Sequence, residues 1–536
     1  MISDFAQSNP PSQFFADICI IGAGAAGISI AREFITRSTS IILLESGSFD
    51  YDELTQDLYA GSSNYQDLTN SRLRYFGGTT NHYVGESSPL DEIDFQVRDW
   101  VPHSGWPFGK QELEPYYKRA QNLMDLGPYA YDESVWEMLG ITPHGFDERK
   151  FKTYFVQYSG HIKEGYWDWE GPVRFGSAYR AELKAAENIN VLLNANAIDI
   201  RPDQSSNSIN NVAIQSLSGN QATIHAKVFV IACGGIETPR LMLNSQSASP
   251  AGVGNNHDLV GRYFASHPYA NIGSLLAKNP QQISELYSRF KKLGPAKTRA
   301  ALRLSEQIQK KEEALNISVY LVGEDDMSSG VGAATEVWRQ IKAWNFDKPF
   351  ATQVWSVLTD LDEVGAQFLR ARRGKDVIIP AKPLIGLWAI CEWAPYPESR
   401  VKLREERDAL GLHRAHVDDR VGELELHTFK TAAYAVGVEL ARLGLGRVHL
   451  DPWITAHDNS WKDAITMGGA HHYGTTRMAE SPRLGVVDKN CKVHNLSNLF
   501  IASSSVFPTN GYSNPTVSIV ALSLRLADHL KSRFVT

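Results

Sequence analysis

The feature that most constrains this chain stands near its start. Asp17 to Ile21 is a short apolar run that reads as a buried parallel strand. It leads into Gly22-Ala-Gly24-Ala-Ala-Gly27. The segment ISIAREFI then carries helical periodicity, and Ile41 to Leu44 forms a second apolar run ending on Glu45, eighteen residues past Gly27. Strand, glycine turn, helix, strand and acid in that order make a βαβ unit suited to a dinucleotide. Gly22 permits the tight turn, Gly24 lets backbone approach a pyrophosphate, and Gly27 lets helix and strand pack closely. The helix N-terminus then faces the phosphates. Glu45 can accept hydrogen bonds from ribose hydroxyls, which disfavours NADP. NAD and FAD both fit these residues. The chain has one such fingerprint and no redox cysteine pair, so an FAD bound here would take its electrons directly from the substrate.

A chain of 536 residues is too long for one core, and roughly 150 residues per domain suggests two to four units. The net charge of −7 argues against general nucleic-acid binding. No run of eighteen apolar residues occurs, so no transmembrane segment is expected. Cys19, Cys233, Cys391 and Cys491 are scattered, which excludes a zinc or iron–sulfur pattern and a disulfide framework. Four unpaired thiols and the lack of a signal-like N-terminus point to the cytoplasm.

Along the chain, a polar tail is expected to end near Phe15. Residues 50–130 read as loops with short helices, QELEPYYKRAQNLM among them, and residues 188–231 as strands around the turn QSSNSINN. In 280–375 the segments QQISELYSRFKK and RAALRLSEQIQKKEEAL read as helices, and the basic cluster Arg370, Arg372, Arg373, Lys375 as a helix end. Strand patterning returns over 385–450 with a helix from Thr428 to Leu443, and a last helix runs from Thr516 to Leu530. Trp388, Trp393, Trp453 and Trp461 are expected in the core.

Two further motifs carry chemistry. In Phe76-Gly77-Gly78-Thr79-Thr80-Asn81-His82-Tyr83 the small residues let backbone lie flat against a ring system, with an imidazole in reach. At the C-terminus, Gly469-Ala-His471-His472-Tyr-Gly474-Thr475-Thr476 precedes Asn510-Gly-Tyr-Ser-Asn514-Pro515-Thr516. A neutral imidazole can take a proton from an alcohol and an amide can hold the same oxygen. Side chains alternate along an extended segment, so His471 and His472 cannot both serve one site. No further ligand stands at metal spacing, so no metal is expected.

These motifs, with IACGGIETPRLMLNS (231–245), LVGRYFASHP (259–268), EWAPYPESRVKLREERDALG (392–411) and NLFIASSSVFPTNGYSNPT, resemble the glucose–methanol–choline (GMC) oxidoreductase family in order and over nearly the whole chain. The departure GGTTNH for GGSS-x-x-N places it towards the branch of pyranose oxidase and the bacterial sugar dehydrogenases, and Ser503-Ser504 stands where many members have Asp-Gly at the pyrophosphate. The resemblance implies a fold of class α/β and α+β. A discontinuous Rossmann-like FAD-binding domain (14–260 and 468–536) would stand beside a substrate domain (261–467) with an antiparallel sheet backed by helices and a helical insertion at about 280–375. It implies His471 as general base and Asn514 as its partner. The FAD contacts it implies are Gly22, Gly24, Gly27, Glu45, Gly77, Gly78, Thr79, Thr80, Asn81, His82, Ala197, Ala232, Gly234, Ser503, Ser504, Asn514 and Thr516. The GG-x-x-x-H spacing further implies a covalent flavin bond at His82.

The expected reaction is FAD-dependent oxidation of an alcohol group on a sugar-like substrate, a small molecule, with oxygen, a quinone or a separate redox protein as electron acceptor. A non-sugar alcohol or natural-product intermediate, a lyase on the same scaffold, and a non-enzymatic FAD-binding subunit are the alternatives.

Overall fold

The structure is a computed structural model that describes all residues except 8, 65–66, 160–171, 327–328, 344–349, 373–379, 467–469 and 535–536. The first βαβ unit forms where the sequence places it. Gln13–Ile21 is a strand, Ala25–Arg32 a helix and Ile41–Leu44 a strand. The two strands pair in parallel, Ile20 opposite Leu43.

They nucleate an eight-stranded sheet in the order Ile2–Asp4, Ile189–Leu193, Ile41–Leu44, Gln13–Ile21, Gln221–Ile231, Ile209–Gln215, Asn196–Pro202, with Leu499–Ile501 also on Gln221–Ile231. Its pairs are parallel except the two at one edge, where Gln221–Ile231, Ile209–Gln215 and Asn196–Pro202 run antiparallel. Parallel strands of similar register end together. Leu44, Ile21, Ile231 and Ile501 therefore bring Glu45, Gly22, Ala232 and Ala502 to one edge, where open α/β sheets bind ligands. The final helix, Thr516–Arg533, packs beside the first.

A second eight-stranded sheet is antiparallel throughout. Its order is Gly446–Leu450, Tyr269–Ala277, Leu384–Cys391, Ile317–Val322, Ala296–Leu304, Phe151–Tyr158, Glu86–Ser87, with Lys291–Leu293 off Ala296–Leu304. Strand alternation gives it two different faces. One face (Phe151, Phe155, Ile272, Leu302, Leu387) packs on Phe429, Ala433 and Val436 of the helix Glu423–Arg442. The other carries Tyr154, Tyr158, Tyr320 and Ile390 and faces the site described below.

Several expectations change. The polar tail contains a strand, Ile2–Asp4, paired with Ile189–Leu193. RAALRL is a strand: Ala300, Leu302 and Leu304 are buried while Arg299 and Arg303 alternate with them, a period of two that its helix-favouring composition masks. Residues 280–375 are thus helical mainly in their second half, at Gly330–Ala343, Phe350–Thr359 and Leu361–Arg372. The last of these ends at Arg370 and Arg372, while Arg373 and Lys375 lie outside the described residues. The sheets do not follow the boundary at 261, because Glu86–Ser87 and Phe151–Tyr158 belong to the second sheet. Trp393, Trp453 and Trp461 are core, whereas Trp388 is 45% exposed.

Candidate active site

A cavity of about 770 Å³ runs from the first glycine turn to the tyrosine-bearing face of the second sheet. At its dinucleotide end the glycines divide their work as their spacing requires. Gly22 has φ +106°, and a Cβ there would lie 2.7 Å from Ala232 O. A Cβ on Gly27 would stand 1.9 Å from Gly22 O, whereas one on Gly24 would meet nothing within 4 Å. Gly24 is the N-cap of the first helix and no side chain caps it, so the leading N–H groups face the cavity, as an anionic group needs. Glu45, at the end of its strand, accepts Ala23 N–H (3.1 Å) and Gly47 N–H (3.0 Å) and lines the cavity. Burial raises its pKa against those bonds.

The glycine pair of the second motif lies on the first turn. Gly77 N–H donates to Ala23 O (2.9 Å), and a Cβ on Gly78 would stand 3.1 Å from Gly24 Cα. Gly78, Thr79, Thr80 and His82 line the cavity. Gly77 and Asn81 are not in its wall: Asn81 Nδ2 donates to Phe76 O (3.0 Å) and holds the turn's shape. His82 is half-buried, and burial and then Arg174 lower its pKa. Ala197, Ala232, Gly234, Ser503, Ser504, Asn514 and Thr516 complete this part of the wall, and Gly27 stays behind it as packing.

Sequence reasoning missed a charged cluster beside them. Glu237 accepts from Arg72 (2.9 Å), Arg74 (3.2 Å) and Arg240 (2.9 Å), and Arg240 also reaches Asp408 (2.5 Å). Burial would raise the pKa of Glu237, but the three guanidinium groups hold it at about 2. The three guanidinium groups thus stand as cationic donors beside the glycine turn, where a pyrophosphate would lie. No local motif announces this cluster, since its members are brought together from three segments.

At the other end, the loop carrying His471 and the turn before the final helix meet. His471 Nδ1 lies 2.9 Å from Nδ1 of His267, and His267 Nε2 lies 2.9 Å from Gly511 O. His267 is fully buried and no spacing signal marks it, because 204 residues separate the two rings. The Gly511 contact selects the tautomers. A carbonyl only accepts, so His267 carries its proton on Nε2 and its Nδ1 is an acceptor. His471 therefore carries its proton on Nδ1, and its Nε2 keeps a lone pair. Asn510 Nδ2, which donates to Ser513 O (2.9 Å), lies 3.0 Å from the same Nε2. Burial lowers the pKa of His471 to about 4 and that of His267 well below the usual value, the latter also through His471.

His471 and His472 diverge as alternation requires, although both touch the long cavity. The His472 ring packs on Phe264, and its backbone carbonyl accepts the Ser504 hydroxyl (2.6 Å). Asn514 Nδ2 donates to Glu86 O (3.3 Å), and Pro515 and Thr516 set the uncapped N-terminus of the final helix at the cavity wall. Gly469 lies outside the described residues. Among the described residues no cluster of His, Cys, Asp and Glu could hold a metal, and no helix is long and apolar enough to cross a membrane.

Comparison with known proteins gives a consistent result. Family models described as GMC oxidoreductase match residues 17–269 and 395–523. The fructose dehydrogenase large subunit of Gluconobacter japonicus is 26% identical, over 96% of this chain and 97% of that one. Paromamine 6'-oxidase of Streptomyces fradiae is 22% identical over 95% and 90%. 2-Methyl-1,2-propanediol dehydrogenase of Mycolicibacterium austroafricanum is 22% identical over 97% and 95%. Among solved structures, pyridoxine 4-oxidase from Mesorbium loti matches with a TM-score of 0.54 at 16% identity, over 96% of this chain and 99% of that one. A formate oxidase variant from Aspergillus oryzae matches with 0.55 at 14%, over 97% and 98%.

Proposed function

This chain belongs to the GMC oxidoreductase family and is an FAD-dependent enzyme acting on CH–OH donors, and from that premise we propose that it oxidises an alcohol group of a sugar or sugar-like substrate with His471 as general base. The residues fit the cofactor. The open position at Gly24, the uncapped helix behind it, the guanidinium groups of Arg72, Arg74 and Arg240 and the Glu45 carboxylate would hold the dinucleotide. FAD, when bound, supplies the acceptor for the hydride that leaves the alcohol carbon.

The observation that carries the reading is the His267–His471 contact. It leaves the Nε2 lone pair of His471 for the substrate hydroxyl, and a pKa of about 4 keeps that ring neutral at ordinary pH. Asn514 stands at the head of the final helix, where its amide can donate to the same oxygen while His471 takes the proton. The helix N-terminus adds positive potential where negative charge grows on that oxygen.

His82 is the residue we assign to covalent attachment of the flavin, supported by its place in the cavity wall and its neutral imidazole. Four free thiols support a reducing compartment, the cytoplasm. Oxygen, a quinone or a separate redox protein would reoxidise the flavin.

The test is anaerobic mixing with sugars and simple alcohols while the oxidised flavin band is followed. Bleaching by a sugar is expected in the parent protein and lost in His471→Ala with flavin still bound. Full bleaching in that variant would refute the base assignment.

A further inference from the structure

The end of the cavity facing the second sheet holds a polar group outside the sites assigned above. The Glu86 carboxylate accepts the hydroxyls of Tyr320 (2.7 Å) and Tyr158. Those hydroxyls accept in turn from Tyr154 (3.0 Å) and from Arg299 Nη2 (3.3 Å). Arg299 Nη2 also stands 3.7 Å from Glu86 Oε2, and the two side chains are 17% and 16% exposed. Among the described residues Arg299 therefore meets acceptors only through Nη2, while a guanidinium carries five N–H donors. Trp388 pairs across the sheet with Tyr320, so the two share a face, and both line the cavity with Glu86 and Arg299. Glu86 is joined to the reacting end by its own carbonyl, which accepts from Asn514.

We infer that Glu86, Arg299 and Trp388 form a subsite for an uncharged, polyhydroxylated substrate, whose neighbouring hydroxyls bridge the ion pair and whose ring face lies on the indole. A carboxylate only accepts and a guanidinium only donates. A hydroxyl does both, so adjacent hydroxyls satisfy the two groups together. The pair sums to zero charge. Among the described residues, the other charged side chains lining the cavity (Glu45, Arg72, Arg74, Glu237, Arg240) form the dinucleotide end. A substrate ammonium would therefore face Arg299 and a substrate carboxylate would face Glu86, each without a compensating excess of opposite charge. A plain aliphatic alcohol would leave both groups unmatched, and such a site rejects it strongly. The exposed face of Trp388 suits the apolar side of a sugar ring. The inference rests on the alcohol-oxidation reading above and narrows its substrate.

The flavin-loaded protein tests this with D-fructose and D-glucose as uncharged probes, D-gluconate as anion, D-glucosamine as cation and 2-methyl-1,2-propanediol as a small diol. Anaerobic flavin bleaching gives kcat/KM, and the shift of the flavin band on titration gives binding. An uncharged sugar should exceed the charged probes and the diol by about 10²-fold. Arg299→Gln leaves Glu86 unopposed and should move the ratio of glucosamine to sugar upward by roughly 10–100-fold. Glu86→Gln should do the same for gluconate. The double variant Glu86→Gln/Arg299→Gln is neutral again and should prefer the uncharged probe over both ions. Trp388→Ala, at an exposed position, should raise KM about tenfold. The flavin spectrum of each variant reports that it has folded. A parent enzyme that prefers a charged probe, or single variants that change every probe by one factor, would overturn the subsite. Binding of an uncharged sugar without bleaching would sustain the subsite and overturn the oxidation reading. No binding by any uncharged probe would overturn the subsite itself.

Discussion

Replacing His267 with leucine should disable His471 while leaving flavin bound. His267 touches no cavity wall; it acts through its 2.9 Å contact with His471 Nδ1. A hydrogen bond between neutral groups contributes about 0.5–1.5 kcal/mol, so freeing the tautomer alone costs roughly 2- to 13-fold in the reactive population. The ring also loses its anchor, and misplacement of a catalytic group by about 1 Å can cost roughly 10²-fold. Together these predict that flavin reduction slows by between roughly tenfold and 10³-fold at saturating substrate. The acid limb of the pH profile should not move, because burial sets the low pKa of His471. The loss should therefore appear as a lower plateau. His267→Asn, whose amide oxygen can still accept from Nδ1–H, should recover a large part of the rate. Anaerobic stopped-flow reduction from pH 4 to 9 with both variants is the assay. A leucine variant that reduces at the parent rate, or equal losses in both variants with a shifted acid limb, would refute the reasoning.

Three further outcomes can be checked directly. The flavin-reduction rate should stay flat from about pH 8 down to about pH 5 and fall only as His471 protonates near its pKa of about 4, well below a free imidazole; a limb near 6.5 in the pH–rate profile would contradict the burial argument. Acid precipitation should leave the yellow colour in the pellet, and His82→Ala should release it to the supernatant; free flavin in the parent would exclude attachment at His82. Gly24→Ala should fold normally but retain little flavin, whereas Gly27→Ala, whose methyl would stand 1.9 Å from Gly22 O, should lower thermal stability; melting curves and flavin content per chain separate the two effects.

Stability should also follow the buried imidazoles. The pKa values of His471 and His472 are lowered to about 4 and about 3, the latter by burial and then by Arg72 and His471. Between those values and the ordinary histidine range, the unfolded chain binds protons that the folded chain does not. Stability should accordingly fall as pH drops through about 6.5 towards 3, a trend that denaturant melts at pH 7 and pH 5 would resolve.

What the sequence determined by itself is local. Gly22, Gly24 and Gly27 sit within six residues, and their steric demands are met by the adjoining strand and helix. The first βαβ unit, its anion-facing turn and Glu45 were therefore legible. The final helix was legible as well, because Asn514-Pro515 breaks regular structure just before it, whereas the choice of His471 and Asn514 came from the family resemblance. The strand Ala296–Leu304 was misread because its alternation of buried and half-buried residues is set by the sheet on either side, while Ala, Leu and Arg alone favour a helix.

Only the tertiary structure decided which distant residues meet. His267 joins His471 across 204 residues, Glu237 gathers Arg72, Arg74 and Arg240, and Glu86 meets Arg299 across the intervening strand Phe151–Tyr158. Trp388 is identical in type to the core tryptophans and differs only in the face of the sheet on which its register places it. Proton position, local charge and substrate contacts depend on such distances. Those distances are set by how two sheets pack around one cavity, which no window of sequence contains.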